Sequence, residues 1–385
     1  MSILGQRNTG DEFMNLKKKR MWVTAFTMAG AVIGAGVLGL PYVFAQSGFL
    51  IGIFWIIFLG AILTFSKLYL GEVALRTKGK HQLPGYAKKY LGKWGGRAMY
   101  FAMFFGIYAA LVAYLIGEGQ SLSKFFTDGL EYSLLFGFGF WLIMSFLLHG
   151  GLKNLKKIEA WGVFGILAIV FGLFFWLLPD ISLSNVSYIE PSNFFFPFGI
   201  TLFALMGFSC IPEMRMEIKG SEKLFKKAIL IGTLIPIAVY IIFSFTIVGV
   251  LGKEVSEVAT LSFGKITYLL GIFTMLTSYF LSSFVLKDIF IYDLKKKKIQ
   301  FWFVSLVPLI LYFIISYFHF ASFTSVLAIA GIISGGTYGS LALLMNIKSK
   351  KLGDRKPEYI MPINWIVVIF IILVFVLGVA TRLFL

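Results

Sequence analysis

Gly30-Ala31-Val32-Ile33-Gly34-Ala35-Gly36-Val37-Leu38-Gly39-Leu40-Pro41 holds four glycines and a proline in twelve residues. Each Gly costs a helix interior about 1 kcal/mol against Ala, and Pro about 3. Yet the stretch lies inside an apolar run, residues 21–47, long enough to span a bilayer. Gly30 and Gly34 also have the Gly-x-x-x-Gly spacing of close helix packing. A helix break at membrane depth is tolerated only where it is buried in protein or lines a cavity. The stretch is therefore predicted to be a discontinuous span whose opened backbone faces a polar ligand, provided that a second such span exists.

It does. Span 6 contains Phe203-Ala204-Leu205-Met206-Gly207-Phe208-Ser209-Cys210-Ile211-Pro212-Glu213-Met214, where Gly207, Ser209 and Pro212 interrupt an aromatic-rich run. Pro212 removes a donor and frees carbonyls near Gly207 and Phe208. Span 1 runs inside to outside, and span 6 runs outside to inside. Corresponding breaks in halves of opposite topology point to a midplane binding site.

The rest of the chain fits around these two. Of 385 residues, 58% are hydrophobic and 14% charged, against about 25% charged in soluble domains. Eleven apolar spans are predicted, near 21–47, 50–75, 98–123, 132–149, 159–179, 193–214, 224–251, 262–290, 300–318, 322–346 and 362–384. With the N-terminus cytoplasmic, 30 of the 35 Lys and Arg fall inside, a strong positive-inside bias. The expected fold is an all-α polytopic membrane protein: a cytoplasmic tail (1–20), a five-helix repeat (21–179), a second, inverted five-helix repeat (193–346) and an eleventh helix (362–384), with the C-terminus outside. The net charge of +17 follows from topology, and no nucleic-acid-binding module is present. The start of the chain reads as a retained first span rather than a cleaved signal. Cys210, the one cysteine, excludes an internal disulfide.

Gly34–Pro41 resembles the first-span motif of the amino acid/auxin permeases and the hydroxy/aromatic amino acid permeases. Phe203–Pro212 is similar to their sixth-span break. Leu276-Thr277-Ser278-Tyr279-Phe280-Leu281 resembles the eighth-span motif of the tyrosine and tryptophan permeases, and Ala113-Tyr114-Leu115-Ile116 is similar to their third span. The ordered set resembles the amino acid–polyamine–organocation superfamily. It implies the leucine-transporter-type 5+5 inverted repeat, with discontinuous helices 1 and 6, in the cell membrane.

The implied activity is cation-coupled symport of neutral amino acids, aromatic ones among them, by alternating access. An exchanger or exporter on the same fold is the alternative, and a non-transporting sensor a further one. An amino acid zwitterion needs donors for its carboxylate and acceptors for its ammonium. Free N–H groups near Gly34, Ala35 and Gly36 suit the first. Carbonyls of Ala31, Val32 and Gly207 suit the second. Tyr108, Tyr114, Phe203, Phe208 and Ser209 are the candidates to line the side chain.

No organic cofactor is expected. The coupling ion is Na+ or H+. For sodium the resemblance implies Gly30, Ile33, Thr277 and Ser278, with the carbonyl of Thr274; Ser282-Ser283, a turn inward, is the alternative pair, and these hydroxyls can equally bond their own helix. For a proton the candidates are Glu213, paired with Arg215 or Lys219, and Glu118, in the outer vestibule or at a solvated rim. Lys67 and Glu72 read as topological, near the inner end of span 2. Lys156 and Lys157 precede span 5, whose interior lacks the lysine that replaces sodium in some relatives. An intramembrane enzyme is disfavoured: His81, His149 and His319 are far apart and no His-Glu-x-x-His motif exists.

Overall fold

The computed structural model describes residues 7–149, 155–363 and 365–384. The loop at 150–154 and the side chains of Lys156 and Lys157 lie outside the described residues, and with them part of the expected inner charge. The described chain is helical throughout: α1 (Arg7–Val32), α2 (Gly36–Ser47), α3 (Phe49–Arg76), α4 (Leu83–Thr127), α5 (Ser133–His149), α6 (Leu155–Leu177), α7 (Ser184–Ser187), α8 (Phe198–Ala204), α9 (Ile211–Glu217), α10 (Phe225–Leu251), α11 (Lys265–Asp288), α12 (Val307–Tyr317), α13 (Phe323–Ala330), α14 (Gly336–Leu352) and α15 (Trp365–Phe384).

Six helical stretches are long and apolar enough to cross a membrane, and α1 with α2 makes a seventh if counted as one bent span. Shorter apolar helices lie at 133–148, 165–180 and 368–378. The protein is thus an all-helical, multi-pass membrane protein. Large apolar side chains such as Phe146, Phe175, Ile369 and Leu373 point outward and are exposed, as lipid-facing residues are. Inside, Phe44, Phe208, Phe225, Phe243, Tyr240 and Phe323 are almost wholly buried in one continuous core.

Two boundaries differ from expectation. Helix α1 reaches back to Arg7 and takes in most of the expected tail. The expected 76–97 loop contains the first two turns of α4, set off by a break at Gly92 with φ 75°. Leu83, Tyr86, Ala87 and Tyr90 are buried there, at the i, i+3, i+4, i+7 spacing of an amphipathic helix.

Both glycine-rich breaks are present. Helices α1 and α2 meet at 59° across Ile33–Ala35. Between α8 and α9 the chain turns through Gly207, whose φ of 108° favours glycine. Helix α2 packs on α8 and α10, and α1 on α9 and α10. The two breaks therefore lie directly against each other, with α10 beside the first.

Candidate substrate site

A broken helix exposes backbone groups that an unbroken one would pair. At the start of α2, no backbone carbonyl accepts from the N–H groups of Gly34, Ala35 or Gly36. The N–H groups of Val37 and Leu38 already bond Gly34 and Ala35 at 3.2 and 3.0 Å. At the end of α1, the Tyr240 hydroxyl on α10 donates to the Val32 carbonyl at 2.7 Å and lies 3.1 Å from the Ala204 carbonyl at the end of α8. One buried hydroxyl thus ties both breaks together. Of the carbonyls expected to take an ammonium, Val32 holds this donor and Gly207 accepts the Cys210 thiol at 3.0 Å. Ala31 and Gly30 accept no backbone N–H from beyond the break.

The glycines divide into two kinds. A Cβ on Gly34 would make an ordinary 3.5 Å contact with the Ser278 hydroxyl. A Cβ on Gly36 would stand 2.9 Å from the Ala204 Cα, and one on Gly207 2.6 Å from the Val32 side chain. Gly36 was expected to open the backbone to a ligand. Its missing side chain instead admits α8, because two helix axes converge there. Gly34 alone of the pair opens toward the α11 face.

The expected side-chain lining separates in the same way. Phe203 is half-buried, with its ring beside Gly36. Phe208 is fully buried against Tyr338, ring centres 5.8 Å apart. Tyr114 is buried and faces both Ser282 and Tyr240. Ser209 is exposed. Tyr108 is held elsewhere: its hydroxyl bonds the Phe303 carbonyl at 3.0 Å, and its ring lies on Phe104.

Of the expected ion ligands, Ser278 reaches the first break. The Thr277 hydroxyl bonds the carbonyls of Phe273 and Thr274 at 3.1 and 2.9 Å, and that of Thr274 bonds Leu270 at 2.8 Å. These are the own-helix bonds open to any Ser or Thr. Gly30 and Ile33 flank the break, and the Ile33 N–H still bonds the Ala29 carbonyl at 2.7 Å.

The acidic residues differ more. Glu213 is on the exposed face of α9. Arg215, its expected partner, pairs with Glu222 at 3.4 Å. Glu217, one turn on, joins α9 to α1: it accepts from the Thr27 hydroxyl at 2.9 Å. Beside it Arg20 donates to the Lys219 carbonyl at 2.6 Å. Glu118 is not at a solvated rim: it is wholly buried, neither carboxyl oxygen has a hydrogen bond of normal geometry, and the polar group it faces is the Leu276 backbone of α11.

Nor is span 2 merely topological. Glu72 is wholly buried and binds Arg76 at 2.8 Å, Asn346 at 3.0 Å and the Met361 N–H at 2.8 Å. Lys67 is also wholly buried and donates to the Leu205 carbonyl, at the end of α8, at 2.9 Å. Tyr240 is the residue at the breaks that the sequence did not single out, and Lys67 is one that it read as topological. The available signal was a polar head in an otherwise apolar run.

The geometry can be set beside known proteins. Relatives include the tyrosine-specific transport system 2 of Haemophilus influenzae, 30% identical over 250 residues, 62% of this chain and 60% of the relative. Glutamine transporter 2 of Aliivibrio fischeri is 23% identical over 257 residues, 65% of each chain. The low affinity tryptophan permease of Proteus vulgaris is 23% identical over 291 residues, 70% of this chain and 68% of the relative. The chain thus spans about three fifths to two thirds of the length of these relatives. Residues 17–286, which contain both breaks, Lys67, Glu118, Tyr240 and Ser278, match the profile of the tryptophan/tyrosine permease family, and the chain belongs to that family.

Proposed function

We propose that the protein is a secondary transporter of neutral amino acids, aromatic ones foremost, that moves its substrate with a cation by alternating access. The observation that carries the reading is the pair of broken helices whose freed carbonyls share the Tyr240 hydroxyl. The N–H groups of Ala35 and Gly36, and that of Gly34 beside the Tyr240 hydroxyl, suit the substrate carboxylate, and the carbonyls of Gly30 and Ala31 suit its ammonium. Phe203, Phe208 and Tyr114 would border the side chain. The names of the relatives, tyrosine, tryptophan and glutamine transporters, support the substrate class.

The proposed architecture has eleven spans in the cell membrane, with 21–179 and 193–346 as inverted repeats, 362–384 added, and the N-terminus cytoplasmic. Helices α1 and α9 then lie toward the cytoplasm, and α2 and α8 toward the outside. Of the places that the sequence pointed to, two stay open to a coupling cation: the gap between Gly34 and Ser278, and the buried Glu118 carboxyl.

The test is uptake of radiolabelled tyrosine, tryptophan and glutamine into proteoliposomes under an imposed sodium or proton gradient. The expected result is accumulation under one gradient and not the other. Folded protein that neither accumulates nor exchanges any member of a broad amino acid panel would overturn the proposal.

A further inference from the structure

Lys67 is the charged side chain that reaches a helix break. It lies wholly buried on α3, and its Nζ donates to the Leu205 carbonyl at 2.9 Å. An ammonium has three N–H groups, and this bond uses one. Among the described residues no carboxylate lies within ion-pair distance of it. The titratable group facing it is Cys210, in the turn between α8 and α9; behind Cys210 stand Glu213 and Glu217 of α9. From α10 comes Tyr240, whose hydroxyl takes the neighbouring Ala204 carbonyl. A buried ammonium without a counter-ion costs several kcal/mol. Topology does not require one here, because a lysine nearer the helix end would reach the interface.

We propose that Lys67 carries the coupling proton and positions the second break through the Leu205 carbonyl. The inference rests on the symport reading above and assigns its cation. The step involves no covalent change in the substrate. A proton from one aqueous phase adds to the amine lone pair, the ammonium keeps its N–H on Leu205, and the proton leaves to the other phase once the break has reoriented. The carboxylate of an amino acid bound between the breaks supplies the negative charge that the protein itself does not provide. Proton and amino acid therefore bind with positive, reciprocal linkage. Glu118 is equally buried but faces α11 rather than a break, so its charge has no comparable hold on α8.

The test reads binding before transport. Purified protein in weak buffer should take up a proton as tyrosine binds. The tyrosine Kd should rise with pH by up to about tenfold per unit where the amine is neutral. Lys67→Met keeps the aliphatic stem and removes the charge. Lys67→Arg stays charged at every accessible pH and serves where the Met variant does not fold. Either variant should bind with a pH-independent Kd and no proton uptake, and in proteoliposomes should exchange tyrosine without proton-driven accumulation. Glu118→Gln should keep the wild-type pH slope. Proton uptake that persists in a Lys67 variant, wild-type binding without proton uptake, or accumulation driven by sodium alone would each overturn the assignment. Wild-type protein that neither binds nor exchanges any amino acid would instead overturn the transporter reading.

Discussion

Replacing Tyr240 with Phe removes one oxygen and leaves the ring in place. The hydroxyl is wholly buried, donates to Val32 at 2.7 Å and lies 3.1 Å from the Ala204 carbonyl. Both carbonyls belong to residues no more than 5% exposed, so neither gains water in exchange. A lost hydrogen bond that leaves a buried acceptor unpaired costs about 1–3 kcal/mol. That cost falls on the conformer with the breaks tied, and shifts its equilibrium with opened conformers by about 5–150-fold. The chain carries its own reporter. Cys210, the one cysteine, is 6% exposed, with its thiol on the Gly207 carbonyl and 3.6 Å from the Met28 and Met214 sulfurs. Its reaction with a maleimide in detergent requires the second break to open, so the labelling rate follows the opened population. Tyr240→Phe should label at least fivefold faster at constant pH. Tyr312→Phe is the control: it removes a hydroxyl that bonds the Ser133 and Leu134 carbonyls at the start of α5. It should lower thermal stability comparably without changing Cys210 labelling. Equal labelling of Tyr240→Phe and wild type, or equal acceleration by both substitutions, would refute the reasoning.

Gly36→Ala places a methyl 2.9 Å from backbone of α8 and should lower stability by about 1–3 kcal/mol, read as a lower melting temperature. Gly34→Ala makes only an ordinary contact with Ser278; it should keep the melting temperature and weaken tyrosine binding. Glu72→Ala strips a buried acceptor from Arg76, Asn346 and the Met361 N–H. It should cost about 3–5 kcal/mol and make residues 353–363 sensitive to limited proteolysis. Asp354, on that same segment, accepts from the Lys89 ammonium and the Lys78 N–H, which hold its carboxyl below the usual carboxylate range. A depressed carboxyl stabilises above its unfolded value and loses that effect as pH falls through the folded one. The clip to Lys89 should thus persist at neutral pH and release only as pH falls below the ordinary carboxylate range, as increased proteolysis that Asp354→Asn already shows at pH 7.

Both breaks were legible because glycine and proline act on their own backbone: the interruption at Ile33–Ala35 and the turn at Gly207 need no partner to be foreseen. What each glycine is for was not legible. Gly34 and Gly36 stand two residues apart, yet one faces Ser278 and the other α8, a distinction set by where another helix arrives. The surroundings of the ionisable residues were illegible for a related reason. Apolar runs fix the depth of Glu118, Glu213 and Lys67, but not the face of the helix they occupy. The same depth at a rim or in a core reads alike, so Glu118 was left between the outer vestibule and a solvated rim, and Lys67 passed for a snorkelling residue. Glu217 escaped notice because its partner, Thr27, is 190 positions away. Thr277 belongs to the family motif, while its hydroxyl bonds the Phe273 and Thr274 carbonyls of its own helix; the motif fixes residue types, and the local backbone decides their bonds.

The contacts at the breaks are also unequal in a way that bears on motion. Gly36 against Ala204 joins α2 to α8 backbone to backbone, with the Ala204 methyl and the Phe203 ring packed alongside. The α1–α9 junction is held by side chains: Thr27 on Glu217 and Arg20 on the Lys219 carbonyl. Close-packed helices separate only by losing dispersion contacts along their whole seam, whereas polar links at an edge can exchange for water at little net cost. Under the proposed orientation the tight seam lies toward the outside and the polar links toward the cytoplasm. The conformer in hand is then closed at both ends by different means. Loosening it toward the cytoplasm should require fewer lost contacts than loosening it outward. A charge-removing pair of substitutions at the polar links, Arg20→Gln with Glu217→Gln, should therefore raise Cys210 labelling from the cytoplasmic face in oriented vesicles and leave labelling from the outer face unchanged. Acceleration from the outer face would mean that α2 and α8 part first, and that the glycine seam is the gate rather than the pivot.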